Sequence, residues 1–242
     1  MCDRNIVLGR FSRVELDGII RGSSRINDAG ERIDFLSRLF LGVDYAGSTL
    51  IGDKNTTEVF VIDLGGFDCL TFIEYIEAMR LSGSYCDFTG NLKRVRYRSG
   101  VVDFMNRNHF LTDWKQFNAD FVDDVTGEVG GQKTLRIRKT LNAKEDGTYF
   151  LQGVPPVERE ILYIPAEAVD DLVCGKLRNG DYIGIYSGVK GLDVSHVGIA
   201  IRAEDRLILR HASSQKEYMR VIDQDFRIYV ANKPGIIVFR PR

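Results

Sequence analysis

The hydrophobic period of this chain changes with position. Helical spacing dominates its first third and strand alternation its last third. Residues 10–22 and 30–42 read as helices; in the second, Ile33, Leu36, Leu39 and Phe40 recur at helical spacing and Gly42 offers a stop. Residues 57–63 read as a strand. After the Gly65-Gly66 turn a helix is predicted over 68–82, capped by Asp68 and ended by Gly83. The segment 84–132 is less regular, with a helix-like stretch near 99–107. Strand alternation returns at 133–138, and Pro165 is expected to open a helix reaching about 177. Strands are predicted at 182–186, 195–202, 206–211 and 235–240, the first after an Asn179-Gly180 turn. The strand–helix–strand alternation of a doubly wound sheet is missing. The expected fold class is α+β: N-terminal helices, with a helical part over about 1–55, packed on a mostly antiparallel β-sheet in a single domain over 1–242.

Composition narrows the chemistry. Lys+Arg is 33 and Asp+Glu is 34, a formal net charge of −1, so a global electrostatic hold on nucleic acid is not expected. No apolar run is long enough for a transmembrane segment. The residues at the start lead into no apolar core of a signal peptide. A periplasmic or secreted location is expected if an export signal has been removed; otherwise the location stays open. The cysteines Cys2, Cys69, Cys86 and Cys174 form no Cys-x-x-Cys pair and no zinc spacing, so neither a disulfide scaffold nor a metal site is expected. Any mechanism that needs imidazole must draw on His109, His196 or His211.

Cys69 lies in the first turn of the predicted helix, where backbone N–H groups and the helix dipole favour a thiolate. Ile73 and Ile76 share its face, which should pack on the sheet and leave the sulfur at the edge of the core. Taken alone, the helix position reads first as a buried structural cysteine. His196 opens one predicted strand and His211 ends the next. A hairpin-length link, Arg202 to Asp205, predicts that antiparallel pairing makes the two imidazoles neighbours. A thiol on a helix start with two histidines on a sheet has the logic of nucleophile, base and orienter. Two strand-end histidines with purely structural partners are the plain alternative.

The blocks Asp68-Cys69-Leu70-Thr71-Phe72, Ser195-His196-Val197-Gly198-Ile199 and Leu209-Arg210-His211-Ala212-Ser213, in that order, resemble the NlpC-type superfamily of papain-like cell-wall cysteine hydrolases. The stretches 40–50, Arg96-Tyr97-Arg98-Ser99-Gly100, Arg107-Asn108-His109-Phe110, Asp113-Trp114, Tyr163-Ile164-Pro165 and 191–196 are similar to its N-acetylmuramoyl-L-alanine amidase-like branch. The resemblance runs from about residue 35 to the C-terminus.

It implies a papain-like fold and an amidase acting on peptidoglycan fragments. Cys69 would attack the lactyl–L-alanine amide, His196 would serve as base and then acid, and His211 would orient His196. The Cys69 N–H is a natural oxyanion donor, with Tyr45 a candidate for the second and Asp68 at the same helix start. For the substrate's carboxylates Arg98 is the first choice, in a stretch containing Lys93, Arg94 and Arg96. His109 is a candidate cleft residue, with a helix-end histidine as the alternative. The basic run from Lys133 to Lys144 reads as a solvated strand face, and Trp114 as core. No cofactor and no metal are needed, and a monomer is expected. The rival activities are a γ-D-glutamyl–diamino acid endopeptidase, which would use the same residues, and a non-catalytic muropeptide-binding module. Lipid acyl transfer on a permuted papain-like fold is disfavoured because Cys69 precedes His196.

Overall fold

The computed structural model describes residues 5–204 and 206–242. Cys2 and Asp205 lie outside the described residues. The chain divides into two compact units, one built from residues 1–107 and 210–223 and the other from 108–209 and 224–242.

The first unit opens with β1 (Ile6–Val7), α1 (Arg13–Ser23), α2 (Ala29–Arg38) and β2 (Asp44–Tyr45). It continues with β3 (Ile62–Asp63), β4 (Gly66–Phe67), α3 (Cys69–Arg80) and α4 (Tyr85–Arg96). The helices start where side chains satisfy the amides that helix geometry leaves unpaired. Ser12 and Glu15 form a reciprocal cap on α1, Asp28 caps α2 and Ser84 caps α4. Strand β1 pairs with β3 in parallel, and β2 pairs with β4 in parallel. Every residue of α3 from Thr71 to Arg80 is buried, so this helix forms the centre of the unit and not a half-exposed wall. Its own charges are neutralised inside: Arg80 pairs with Glu77 at 2.6 Å, and Arg96 of α4 pairs with Glu74 at 2.7 Å.

The second unit holds α5 (Leu111–Phe117), β5 (Val122–Asp124), α6 (Thr126–Gly130), β6 (Leu135–Leu141), β7 (Val157–Pro165), α7 (Asp171–Lys176), β8 (Tyr182–Tyr186) and β9 (Val194–Ala203). Then come β10 (Arg206–Ser213), β11 (Arg220–Asp225), α8 (Phe226–Val230) and β12 (Gly235–Pro241). The division of units falls inside β10 and β11, so Arg210–Ser213 and Arg220–Asp223 belong to the first unit. Within the second unit the strand order is β9-β8-β12-β7-β6, all antiparallel, with β5 also on β12. One face of these strands carries Ile164, Ile183, Ile185, Ala200, Ile236 and Val238, which pack with Val129, Val173 and Phe226 of the short helices. Successive side chains point to opposite faces, and at the centre both faces are covered: every residue of β8 and Gly235–Phe239 of β12 are buried.

The α+β class is thus observed, with a mixed pattern of parallel and antiparallel pairing. Several sequence expectations are corrected. Pro165 opens no continuous helix to 177: it ends β7 (φ −55°, ψ 144°) opposite Gly235 and leads into a single 3-10 turn, Ala166–Ala168. The helix starts later, where Asp170 accepts from Val173 N at 3.1 Å. The second helix stops at Arg38 and not at Gly42, because Gly42 N donates to Val221 O at 2.9 Å and turns the chain into β2. Helix α3 ends at Arg80 with Leu81 in right-handed conformation, so Gly83 is not its cap. The predicted strand at 57–63 shrinks to Ile62–Asp63, and 99–107 holds only two short 3-10 turns.

Candidate active site

Cys69 is the first residue of α3 and is half-buried. Asp68 before it is extended (φ −87°, ψ 178°) and caps the helix. Its carboxylate accepts from Thr71 N at 2.7 Å and from Thr71 Oγ1 at 2.8 Å, while Asp68 N donates to Thr71 Oγ1 at 3.0 Å. This two-way cap fixes the first turn, and with it the backbone that carries the thiol. The expected apolar face is present: Ile73 and Ile76 are fully buried.

Strand β2 brings Tyr45 to the same place. The parallel pairing sets Tyr45 opposite Phe67, two residues before Cys69, and Ala46 N donates to Phe67 O at 2.8 Å. The approach is close enough that a Cβ on Gly66 would sit 2.7 Å from the Ala46 Cβ, so this position requires glycine. Tyr45 N donates to Met219 O at 2.9 Å. Burial pushes the Tyr45 phenol above its usual range, and the nearby Cys69 and Asp68 push it further. The phenol therefore stays protonated at neutral pH and can donate a hydrogen bond.

His211 lies on β10 in this unit and is 1% exposed. Its neighbour Arg210 anchors the strand: the guanidinium donates to Asp223 at 2.7 and 2.8 Å, to Asp34 Oδ1 at 2.8 Å and to Ser37 Oγ at 3.0 Å. Arg98 follows α4 in a turn where Ser99 (φ 53°) and Gly100 (φ 69°) are both left-handed, and it is half-buried. The basic stretch around it is divided in purpose. Arg96 is fully buried against Glu74 and donates to Val61 O at 2.7 Å, while Lys93 lies over the Phe60 ring at 5.0 Å.

In the second unit, His196 is half-buried on β9, opposite Ile185, at the point where the β8–β9 pairing slips between Ile185 and Tyr186. The Tyr229 ring lies 6.1 Å from its imidazole, a neighbour that sequence reasoning missed because α8 carries no motif. Asp193 is buried, and its carboxylate accepts from Thr112 N at 2.7 Å, Thr112 Oγ1 at 2.9 Å and Val194 N at 2.7 Å. His109 is half-buried just before α5. Trp114 is core, edge-on to Tyr182 at 5.4 Å. In the basic run, Arg136 and Arg138 of β6 lie on an exposed face opposite Glu160, and Lys133, before the strand, pairs with Asp170. Among the described residues no cluster of His, Cys, Asp or Glu is arranged to hold a metal ion, and no helix is long and apolar enough to cross a membrane.

Of the predicted site residues, Asp68, Cys69 and Tyr45 are thus brought together within the first unit, which also holds Arg98 and His211; His109 and His196 belong to the second.

A family model described as AmiA-like, N-acetylmuramoyl-L-alanine amidase-like, matches residues 35–236. Among solved structures, an N-acetylmuramoyl-L-alanine amidase from Bacteroides uniformis superposes with a TM-score of 0.73 at 27% identity, over 88% of this chain and 99% of that one. A Legionella pneumophila protein gives a TM-score of 0.78 at 22% identity, over 95% of this chain and 94% of that one, and supports the fold alone. A Bacteroides fragilis protein with a provisional xylanase name gives 0.67 at 28% identity, over 84% of this chain and 98% of that one. No curated protein matches this chain in sequence.

Proposed function

The chain belongs to the N-acetylmuramoyl-L-alanine amidase-like family, and from that premise we propose that it is a papain-like cysteine amidase, which cleaves the amide between the lactyl group of N-acetylmuramic acid and L-alanine in peptidoglycan fragments. The observation that carries the reading is the capped helix start, with Cys69 at its first position and Tyr45 set by the β2–β4 pairing opposite Phe67, two residues before it. The name of the Bacteroides uniformis relative supplies the substrate class.

In the proposed reaction His196 takes the Cys69 thiol proton, and the thiolate attacks the lactyl carbonyl carbon. The carbonyl oxygen becomes an oxyanion held by the Cys69 N–H and the Tyr45 hydroxyl. His196 then protonates the amine of L-alanine as the C–N bond breaks, leaving a thioester on Cys69. Water, activated by His196, releases the muramyl carboxylate and restores the thiol. His211 orients His196 and fixes its tautomer. Arg98 and His109 are assigned to the substrate, Arg98 as the partner of a stem-peptide carboxylate. Asp68 serves by holding the helix start rigid.

Digestion of a defined N-acetylmuramoyl-tripeptide, followed by mass analysis, tests the reading. Free N-acetylmuramic acid plus intact tripeptide is the expected result. A sugar-linked dipeptide would replace the amidase with a γ-D-glutamyl–diamino acid endopeptidase. No cleavage, with binding retained, would leave a muropeptide-binding module.

A further inference from the structure

We infer that Lys139 is a positioning residue for His196, acting through the loop 187–192 that leads into β9. The inference rests on the role proposed above for His196. Lys139 lies on β6 in the middle of the basic run, but it does not belong to the solvated face that its neighbours form. Its ammonium donates to Ser187 O, to Val189 O at 3.0 Å and to Leu192 O at 3.0 Å. An ammonium has three donors, and three carbonyls of one short loop take them all. The Nζ also lies 4.7 Å over the ring of Tyr186, the last residue of β8 before the loop. Tyr186 is in turn stacked on Tyr163 at 3.9 Å and 11°.

Three converging carbonyl dipoles repel one another, and the cation at their centre offsets that repulsion. The loop is therefore folded around Lys139. A second clamp acts on its far side: Asn142 N donates to Gly191 O at 2.8 Å. At Gly191 (φ +84°) a Cβ would lie 2.4 Å from Ala143 O. The loop exits into Asp193, whose carbonyl accepts from Ser187 N at 2.9 Å and whose carboxylate is fastened to Thr112. Three residues later comes His196, opposite Ile185 at the slipped register. Such a slip re-aims the side chains beside it, and the conformation of loop 187–192 decides where it falls. Lys139 touches neither His196 nor any reacting group; its effect passes through the backbone.

Lys139→Met keeps an unbranched stem of similar length and removes the ammonium. The expected result is a fall in kcat of about tenfold or more with KM within about twofold, as for a misplaced catalytic group. The imidazole signals of His196, one of only three histidines to assign, should shift in position and titration midpoint in NMR spectra. Ammonium ions added to Lys139→Ala should restore part of kcat by filling the carbonyl cage. Unmoved His196 signals with an unchanged kcat would overturn the inference. So would a loss of activity that follows loss of stability and is not recovered by ammonium. If Lys139→Met does not fold, Lys139→Arg decides, because a planar guanidinium cannot aim at three converging carbonyls; wild-type kcat and His196 signals in that variant would overturn the inference. If the wild-type protein hydrolyses no muropeptide, the proposed function falls, while the NMR comparison still decides whether Lys139 governs His196.

Discussion

At the residue scale, exposure and reactivity are predicted to part company among the cysteines. Cys86 is exposed, Cys174 is buried and Cys69 is half-buried. If access ruled, iodoacetamide would modify Cys86 first. The helix start favours the thiolate at Cys69, so at pH 7 Cys69 is expected to be alkylated faster than Cys86, as read by peptide mapping of a time course; equal or slower labelling would remove the activated thiol. Burial at Cys174 pushes its thiol up, an effect the nearby Arg227 only partly offsets, so it should label last. Tyr45 offers a second test. Tyr45→Phe removes one oxyanion donor, a loss of about 10²-fold in kcat by analogy with other oxyanion holes. The sign of its pH dependence follows from its raised pKa. The neutral, donating phenol is the low-pH form, and raising the pKa extends that form upward. The deficit of Tyr45→Phe should therefore stay constant from neutral pH to about pH 10, the ordinary tyrosine range. A deficit that disappears below pH 10 would contradict a hydrogen-bonding role.

At the element scale, α3 is held by charge as well as by apolar packing. Arg96 is fully buried against Glu74, 2.7 Å away. Removing one member strands the other, so Arg96→Met is expected to cost about 3–5 kcal/mol in urea denaturation, and Arg96→Met with Glu74→Leu to recover most of it. A double variant as unstable as the single one would contradict that account. This pair also explains what the sequence hid. The Lys93–Arg98 stretch reads as a uniform basic patch, yet Arg96 is interior, and α4 with it went unread. Its apolar set Phe88, Leu92 and Val95 recurs at helical spacing and is buried, but Gly90 and the polar residues between blur the period. Asp68 as a cap and the strands at 182–186 and 235–240 were legible because one local rule decides each. Pro165 shows the limit of local rules: its place at the end of β7 is decided by Gly235, seventy residues on, through the β7–β12 ladder, and only a 3-10 turn follows it. The Lys139 cage was likewise illegible: its three acceptors are backbone carbonyls and carry no residue code.

At the scale of the whole molecule, the near-zero net charge comes from near-equal numbers of charges, 33 Lys+Arg against 34 Asp+Glu, and not from scarcity of charge. Arg210, Arg159 and Arg240 meet Asp223, Asp113 and Asp181 at 2.6–2.8 Å, and such pairs leave no broad field for a polyanion. The family match over residues 35–236 places the chain among the N-acetylmuramoyl-L-alanine amidase-like proteins, and the peptidoglycan fragment is the substrate proposed for it. The central claim is that Cys69 carries the muramyl acyl group between two half-reactions. It is tested most directly by mixing the enzyme with an N-acetylmuramoyl-peptide, quenching in acid within the first turnover and mapping the intact protein by mass. The account predicts a thioester adduct of the muramyl acyl group on the peptide containing Cys69, absent in Cys69→Ala. Undiminished turnover by Cys69→Ala, or an acyl adduct derived from the stem peptide, would contradict it.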